Sequence, residues 1–91
     1  MLDHPCIGCG RRGPSESHHF PLTRRFGTAT VPLCRVCHTA AHWGRLTERL
    51  IERAPAYWKA AGEWESNHEV FERWLAKREY RRATGGRLWM R

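Results

Sequence analysis

The sequence predicts a small α+β fold, in which two short strands and a helix form a metal-organised core and further helices form a C-terminal extension. Three observations support this class. The chain has 91 residues, the length of one small domain. Its four cysteines form two Cys-x2-Cys pairs, and the glutamates are concentrated after residue 44 in segments of helical periodicity. We therefore interpret residues 1–91 as a single domain, with a core over residues 1–54 and a helical tail over 55–91.

The cysteine pairs predict a structural zinc site. Twenty-four residues separate Cys6-x2-Cys9 from Cys34-x2-Cys37, and two thiolates from each tight turn complete a tetrahedron around Zn²⁺. A structural metal ion stabilises a chain that is too short to bury a large hydrophobic core. Two disulfides are the first alternative, but disulfides are disfavoured in a cytoplasmic chain. A redox-active Cys-x2-Cys pair is the second, but it would give no role to the other pair. Four protein ligands also leave no open position, so we expect this zinc to be structural.

The elements of the core are predicted from local pattern. Residues 17–20 and 28–33 are strand candidates, joined by a loop that contains Pro21 and Gly27. A helix is predicted from Arg35 to just before Pro55. Its apolar stripe comprises Val36, Ala40, Trp43, Leu46, Leu50 and Ile51.

Two more helices are predicted in the tail. One runs from Pro55 to Glu63, because proline is well placed in a first helical turn. The next begins with a capping box of Ser66 and Glu69 and ends at Gly85-Gly86, before a frayed segment over 87–91. The tryptophans and tyrosines of the tail could stack on nucleobases, but helical spacing favours core packing for Trp58 and Trp74. Trp89, in the frayed segment, stays open to either role.

The charge of the chain favours nucleic acid as the partner. The formal net charge is +7, and 14 of the 16 basic residues are arginine, the side chain suited to bidentate phosphate contacts. Simple solubility, or a codon bias towards arginine, is the alternative reading. No apolar run approaches the ~20 residues of a membrane span, and the N-terminus does not resemble a signal peptide. We expect a cytoplasmic protein with no membrane partner.

Histidines indicate a second metal site. His38 and His42 are four residues apart, so they share one helix face and can bind one ion. A third ligand from the hairpin would leave positions for water and a phosphate oxygen. The adjacent His18 and His19 point to opposite sides of a strand, which suggests two different roles. Each histidine alone could equally be an ordinary core or surface residue.

The ordered combination of Cys6-x2-Cys9, His18-His19 and Pro32-Leu33-Cys34-x2-Cys37-His38 resembles the HNH endonucleases, which have the ββα-metal (His-Me finger) fold. The resemblance covers roughly residues 5–45. It implies that His18 and His38 bind a catalytic divalent ion (Mg²⁺, Mn²⁺, Ni²⁺ or Zn²⁺) and that His19 is the general base. His42 resembles the additional histidine of colicin-type nucleases, which implies a third ligand.

The sequence departs from the family pattern at Ala29, where these enzymes usually have an asparagine that helps to orient the base. A hydroxyl of Thr28 or Thr30, or backbone carbonyls, would have to replace it. Arg12 and Glu16, just upstream of the histidine pair, are candidate helpers. Arg12 could clamp a phosphate, and Glu16 could orient either an arginine or a histidine.

These features predict a metal-dependent HNH-type DNA endonuclease that hydrolyses phosphodiester bonds and nicks duplex DNA as a monomer. The expected state is a monomer or weak dimer, and cleavage of both strands would need a dimer or two encounters. The predicted contacts to the DNA backbone are Arg12, Arg24, Arg25, Arg78, Arg81 and Arg82, although a solvated charged face is the alternative for each. Two other functions stay open. One is a non-catalytic, zinc-stapled nucleic-acid-binding module, and the other is an adaptor that binds an acidic protein.

Overall fold

The computed structural model describes residues 5–84 and has two strands and three helices. β1 spans Glu16–His19 and β2 spans Thr30–Leu33; the helices are α1 (Arg35–His42), α2 (Thr47–Ala60) and α3 (Trp64–Thr84). The strands form one antiparallel sheet. This confirms the α+β class and the predicted order of strand, loop, strand and helix. None of the helices over 5–84 has the length and apolar character needed to cross a membrane.

The hairpin is anchored in the core through β2. Val31 and Leu33 are completely buried, and they pair with His18 and Glu16 of β1 respectively. His19 pairs with Thr30, and the next backbone bond, from Phe20 N–H to the Ala29 carbonyl at 3.1 Å, extends the ladder. This register fixes both histidines of β1 relative to the first helix.

The predicted single helix from Arg35 to Pro55 is wrong, because it is interrupted at Gly44. The amides of Gly44 and Arg45 donate to the carbonyls of Ala41 and Ala40, which is the Schellman pattern of a helix end. Gly44 has φ +74°, a conformation that costs little only for glycine. The chain turns here, and the apolar stripe is not continuous. Two of its predicted members, Val36 and Trp43, are 72% and 74% exposed.

The predicted helix start at Pro55 is also wrong, because Pro55 lies inside α2. An interior proline costs about 3 kcal/mol through its missing hydrogen bond and ring clash. Leu50, Ala54 and Trp58 are each at most 2% exposed and recur at four-residue intervals along one face of α2. Burial of this face offsets the proline penalty, so the predicted division between residues 54 and 55 falls within a continuous helix.

The third helix begins two residues earlier than the predicted capping box. α3 starts at Trp64, and the hydroxyl of Ser66 donates to the Glu63 carbonyl at 3.2 Å instead of capping an N-terminus. α3 brings Phe71 and Trp74 against Phe20 and the buried Trp58. Core packing of Trp58 and Trp74 is therefore confirmed. The predicted helix end at Gly85-Gly86 and the segment with Trp89 lie outside the described residues.

Candidate metal centres

The four cysteines come together as the sequence predicts. Cys6 and Cys9 belong to the turn that precedes β1, and Cys34 and Cys37 flank the start of α1. Their four sulfur atoms lie within 4.8 Å of one another, a spacing compatible with a structural metal ion such as zinc. Cys6, Cys34 and Cys37 are at most 9% exposed, while Cys9 faces solvent. The group ties the turn to the helix across the hairpin.

The electrostatics of the four thiols favour a bound cation. Burial alone raises the pKa of Cys6, but hydrogen bonds from the backbones of Cys34, Cys9 and Gly8 outweigh it and lower the pKa to about 7. Burial raises the pKa of Cys37, and hydrogen bonds and charge from the other cysteines raise it further. One thiol therefore ionises readily, and its negative charge disfavours ionisation of the next thiol. A divalent cation at the centre of the group offsets this repulsion and allows all four thiols to ionise.

Contacts around the cysteine turn connect it to α2. A Cβ atom on Gly8 would lie 2.9 Å from the sulfur of Cys37, so only glycine fits at this position. Arg49 donates to the Gly8 carbonyl at 2.8 Å, and Arg53 donates to the Ile7 carbonyl at 3.0 Å. These two arginines were not predicted to have a role from the sequence. Their contacts join the cysteine group to the helix that carries the core residues.

A second group forms where β1 meets α1. His18, His38 and His42 each offer a ring nitrogen, and these three atoms lie within 4.8 Å of one another. The Nε2 atoms of His38 and His42 are 3.1 Å apart, as their spacing of one helical turn predicts. The ring of His18 is centred 5.1 Å from both. The three imidazoles thus converge on one point, an arrangement that fits a divalent ion bound by three nitrogens.

His18 has the properties of a ligand rather than of a packed core histidine. Its Nδ1 atom is buried and has no hydrogen-bond partner among residues 5–84. Burial, followed by the charges of His38, His42 and His19, lowers the pKa of His18 to about 4. The ring is therefore neutral near pH 7, so it can bind a metal ion without first losing a proton.

Glu16 orients His38. Its Oε1 atom lies 2.8 Å from His38 Nδ1, and β1 places Glu16 two residues from His18, on the same face of the strand. A carboxylate accepts a hydrogen bond from Nδ1–H, and this tautomer leaves the Nε2 lone pair directed at His42 and His18. Orientation of a histidine was one of the two roles considered for Glu16. The arrangement is the carboxylate–histidine pair that commonly supports a metal ligand.

The histidine group opens on a cleft of about 570 Å³. His18 and His19 both line it, although they alternate along β1 and only His18 has ring contacts with His38 and His42. Arg24 lines the same cleft from the loop after β1. Ala29 is 6% exposed and belongs to the core, its carbonyl accepts the Phe20 N–H, and this position offers the site no polar side chain.

The arginines predicted to contact DNA lie in several different environments. Arg12 lines a second groove, of about 320 Å³, together with Arg11, Arg35 and Glu16. Arg25 lies 5.6 Å from the centre of the Phe26 ring. Arg78 and Arg82 on α3 both contact the carboxylate of Glu48 on α2, and Arg81 also has an interaction partner. Of the six arginines predicted to contact DNA, Arg24 is the one that lines the histidine cleft. The DNA contacts of all six stay predictions.

Comparison with models of protein families, with functionally characterised proteins and with solved structures gave no match. The interpretation of the two groups therefore depends on their own geometry.

Proposed function

We propose that this chain is a metal-dependent DNA endonuclease of the HNH type, built on a ββα-metal finger. The convergence of His18, His38 and His42 on one point, with His19 in the same cleft, is the observation that carries the proposal. Nucleic-acid binding alone does not require three histidines with their ring nitrogens within 4.8 Å. The net charge of +7 supports a polyanionic substrate.

The two groups have different tasks in this proposal. The four cysteines bind Zn²⁺, which fixes the hairpin against the start of α1 and contributes its binding free energy to folding. The three histidines bind a divalent ion, which when present supplies Lewis-acid stabilisation to the phosphate and to the leaving 3′ oxygen. Three protein ligands leave coordination positions open on the side of the cleft.

The side chains of the cleft perform the remaining steps. His19 accepts a proton from the attacking water, since imidazole is the side chain that exchanges protons near neutral pH. Arg24 neutralises a phosphate oxygen at the wall of the cleft. Glu16 holds His38 in the tautomer that keeps Nε2 free of a proton. The products are a 5′-phosphate and a 3′-hydroxyl, and one site per monomer produces a nick.

A specific observation favours a second candidate, the non-catalytic nucleic-acid-binding module. The family asparagine is replaced by Ala29, which is buried in the core and offers the general base no side-chain hydrogen bond. The Phe20–Ala29 backbone bond closes the loop without an asparagine but leaves His19 dependent on other partners for its orientation. Under this alternative, the histidine group would bind a metal ion without hydrolysing DNA.

Nicking of supercoiled plasmid separates the two candidates. We expect the wild-type protein to nick the plasmid with Mg²⁺, Mn²⁺, Ni²⁺ or Zn²⁺ and to be inactive in EDTA. His19→Ala should lower the rate by about 10²–10⁴-fold, the usual effect of removing a general base, while metal content and DNA affinity stay unchanged. His68→Ala is the matched control, because His68 pairs with Glu72 on the surface of α3 and is outside the cleft.

Two outcomes would contradict the proposal. A His19→Ala variant that nicks as fast as wild type at equal metal occupancy would show that the general base is misassigned. A wild-type protein that binds DNA and never cuts it with any of the four ions would establish the binding module instead.

A further inference from the structure

We propose that the histidine cleft binds an unpaired nucleotide, with its base against Trp74 and its phosphate at the three histidines and Arg24. The inference rests on the proposed function and narrows it, because it identifies the substrate as a strand with an unstacked base next to the scissile phosphate. Single strands, bulges and frayed ends present such a base. A negatively supercoiled plasmid also presents one wherever its duplex opens transiently, whereas a relaxed continuous duplex does not.

Both polar and apolar side chains line the cleft. Four histidines and one arginine line it: His18, His19, His38, His42 and Arg24. Its apolar lining comes from the loop after β1, from α1, from α2 and from α3, and comprises Phe20, Pro21, Leu22, Ala41, Leu50 and Trp74. A phosphate requires cationic or metal-bound partners, while a nucleobase is flat and can stack on an aromatic ring. One cleft therefore contains groups that suit both parts of a nucleotide.

Trp74 differs from the core tryptophan in ways that leave it available to a ligand. Trp58 is completely buried, and its indole N–H donates to the Thr30 carbonyl at 2.9 Å. Trp74 is only partly buried, and its indole N–H has no hydrogen bond within residues 5–84. It packs edge-on against Phe20, with ring centres 5.3 Å apart, and this contact fixes the orientation of the ring. Trp74 therefore supplies the cleft with an aromatic ring whose orientation is fixed by Phe20.

The position of Trp74 determines which nucleic acids can use the cleft. A base in continuous B-DNA is stacked between its neighbours, so it cannot also contact a side wall next to its own phosphate. An unpaired base can turn into the cleft at little cost. Trp74 reaches the cleft because α3 packs against Phe20, so we infer that the helical tail contributes the aromatic ring that selects the substrate.

Equilibrium binding tests this inference without requiring cleavage. The probes are one fluorescein-labelled oligonucleotide as a single strand, its perfect duplex, and the same single strand with abasic residues, measured by anisotropy without added divalent ion. We expect the single strand to bind roughly tenfold more tightly than the duplex and than the abasic strand, as loss of base stacking typically costs. Trp74→Leu should remove this difference, and Trp74→Phe should retain most of it.

Trp43→Leu is the matched control, because Trp43 is an exposed tryptophan that does not line the cleft. The abasic probe acts on the wild-type protein, so the test stands even if Trp74→Leu loosens the contact with Phe20. Equal affinity for the normal and abasic strands would overturn the inference, and so would tighter binding of the duplex. If the protein binds the normal strand more tightly than the abasic strand but never nicks plasmid, the base-binding cleft is supported and the nuclease proposal is rejected. If it nicks plasmid but binds both strands equally, the nuclease proposal is supported and the base-binding cleft is rejected.

Discussion

The cysteine group and the histidine group both bring metal-binding atoms within 4.8 Å, yet they differ in access. Three of the four cysteines are at most 9% exposed and lie in the hydrophobic core, and neither of the two clefts described above is lined by more than one of them. The histidines lie on the wall of a cleft of about 570 Å³. The number of potential ligands differs in a way that matches this difference in access. Four ligands complete a tetrahedron around a metal ion, whereas three leave one position open for another ligand.

The comparison shows that the hairpin and α1 carry two groups of potential metal ligands that differ in access. β1 and α1 carry the histidine group, and the turn before β1 and the start of α1 carry the cysteines. α1 thus contributes to both groups, with Cys37 and His38 adjacent in the chain. In the proposed function, zinc at the cysteine group fixes α1, and α1 positions His38 and His42. The following predictions test whether the two groups can be disrupted separately.

The largest effect is expected from loss of a cysteine. Cys34→Ser should abolish tight zinc binding and unfold the core, because metal binding free energy is folding free energy in a chain of this size. Zinc analysis and far-ultraviolet circular dichroism measure the two results. Val36→Ser, a neighbouring change on an exposed position of the same helix, should leave both unchanged. A folded, zinc-free Cys34→Ser protein would show that the cysteine group is not structural.

A smaller effect, confined to the open group, is expected from Glu16→Gln. The amide keeps the shape of the side chain but removes the charge that holds His38 Nδ1–H, and loss of such a partner typically lowers metal affinity or activity about 10–100-fold. Titration with Mn²⁺ measures this affinity, and zinc content should not change. Glu69→Gln, which alters a surface pair with Arg73, is the control. If Glu16→Gln instead released zinc, the two groups would not be independent.

The smallest effect concerns pH. The pKa of His18 is lowered to about 4 in the fold, against an ordinary value of 6.5, so between these values the unfolded chain binds the proton more readily. This residue therefore lowers stability progressively as pH falls from 6.5 towards 4, and it has no such effect above pH 6.5. Urea unfolding of wild type and His18→Gln, with no divalent ion added, should show a shallower pH dependence for the variant. Parallel curves would indicate that His18 is solvated rather than buried.

The sequence predicts the ligands better than it predicts the helices that carry them. Cys-x2-Cys pairs and a four-residue histidine spacing are local geometric rules, and the cysteines and the pair His38 and His42 come together as these rules require. His18, the third member of the histidine group, was implied by the family resemblance and not by a local rule. Helix limits depend on competition that local pattern does not show. Gly44 and Gly62 end α1 and α2 through positive φ values of 74°, and those glycines were the available signal. Pro55 was misleading because burial of Trp58 and Ala54 outweighs its local penalty.

Contacts between distant segments were the least predictable part of the site. The contact of Arg49 with the Gly8 carbonyl spans 41 residues, and that of Arg78 with Glu48 spans 30. No periodicity links such positions, so their pairing emerges only from the packed fold. The same is true of Trp74, whose helical spacing predicts core packing but does not reveal that it also lines the histidine cleft.

Counting metal ions in matched variants tests the central claim most directly. Native mass spectrometry of the wild-type chain, with zinc bound and Mn²⁺ added, should show one ion that resists EDTA and a second that EDTA removes. His42→Ala should lose only the second ion, because its ring is one of three ligands in the open group and contacts no cysteine. A wild-type protein that binds a single ion under all conditions would contradict the existence of two centres. A His42→Ala variant that still binds both ions with unchanged affinity would show that the histidine group is not the second centre.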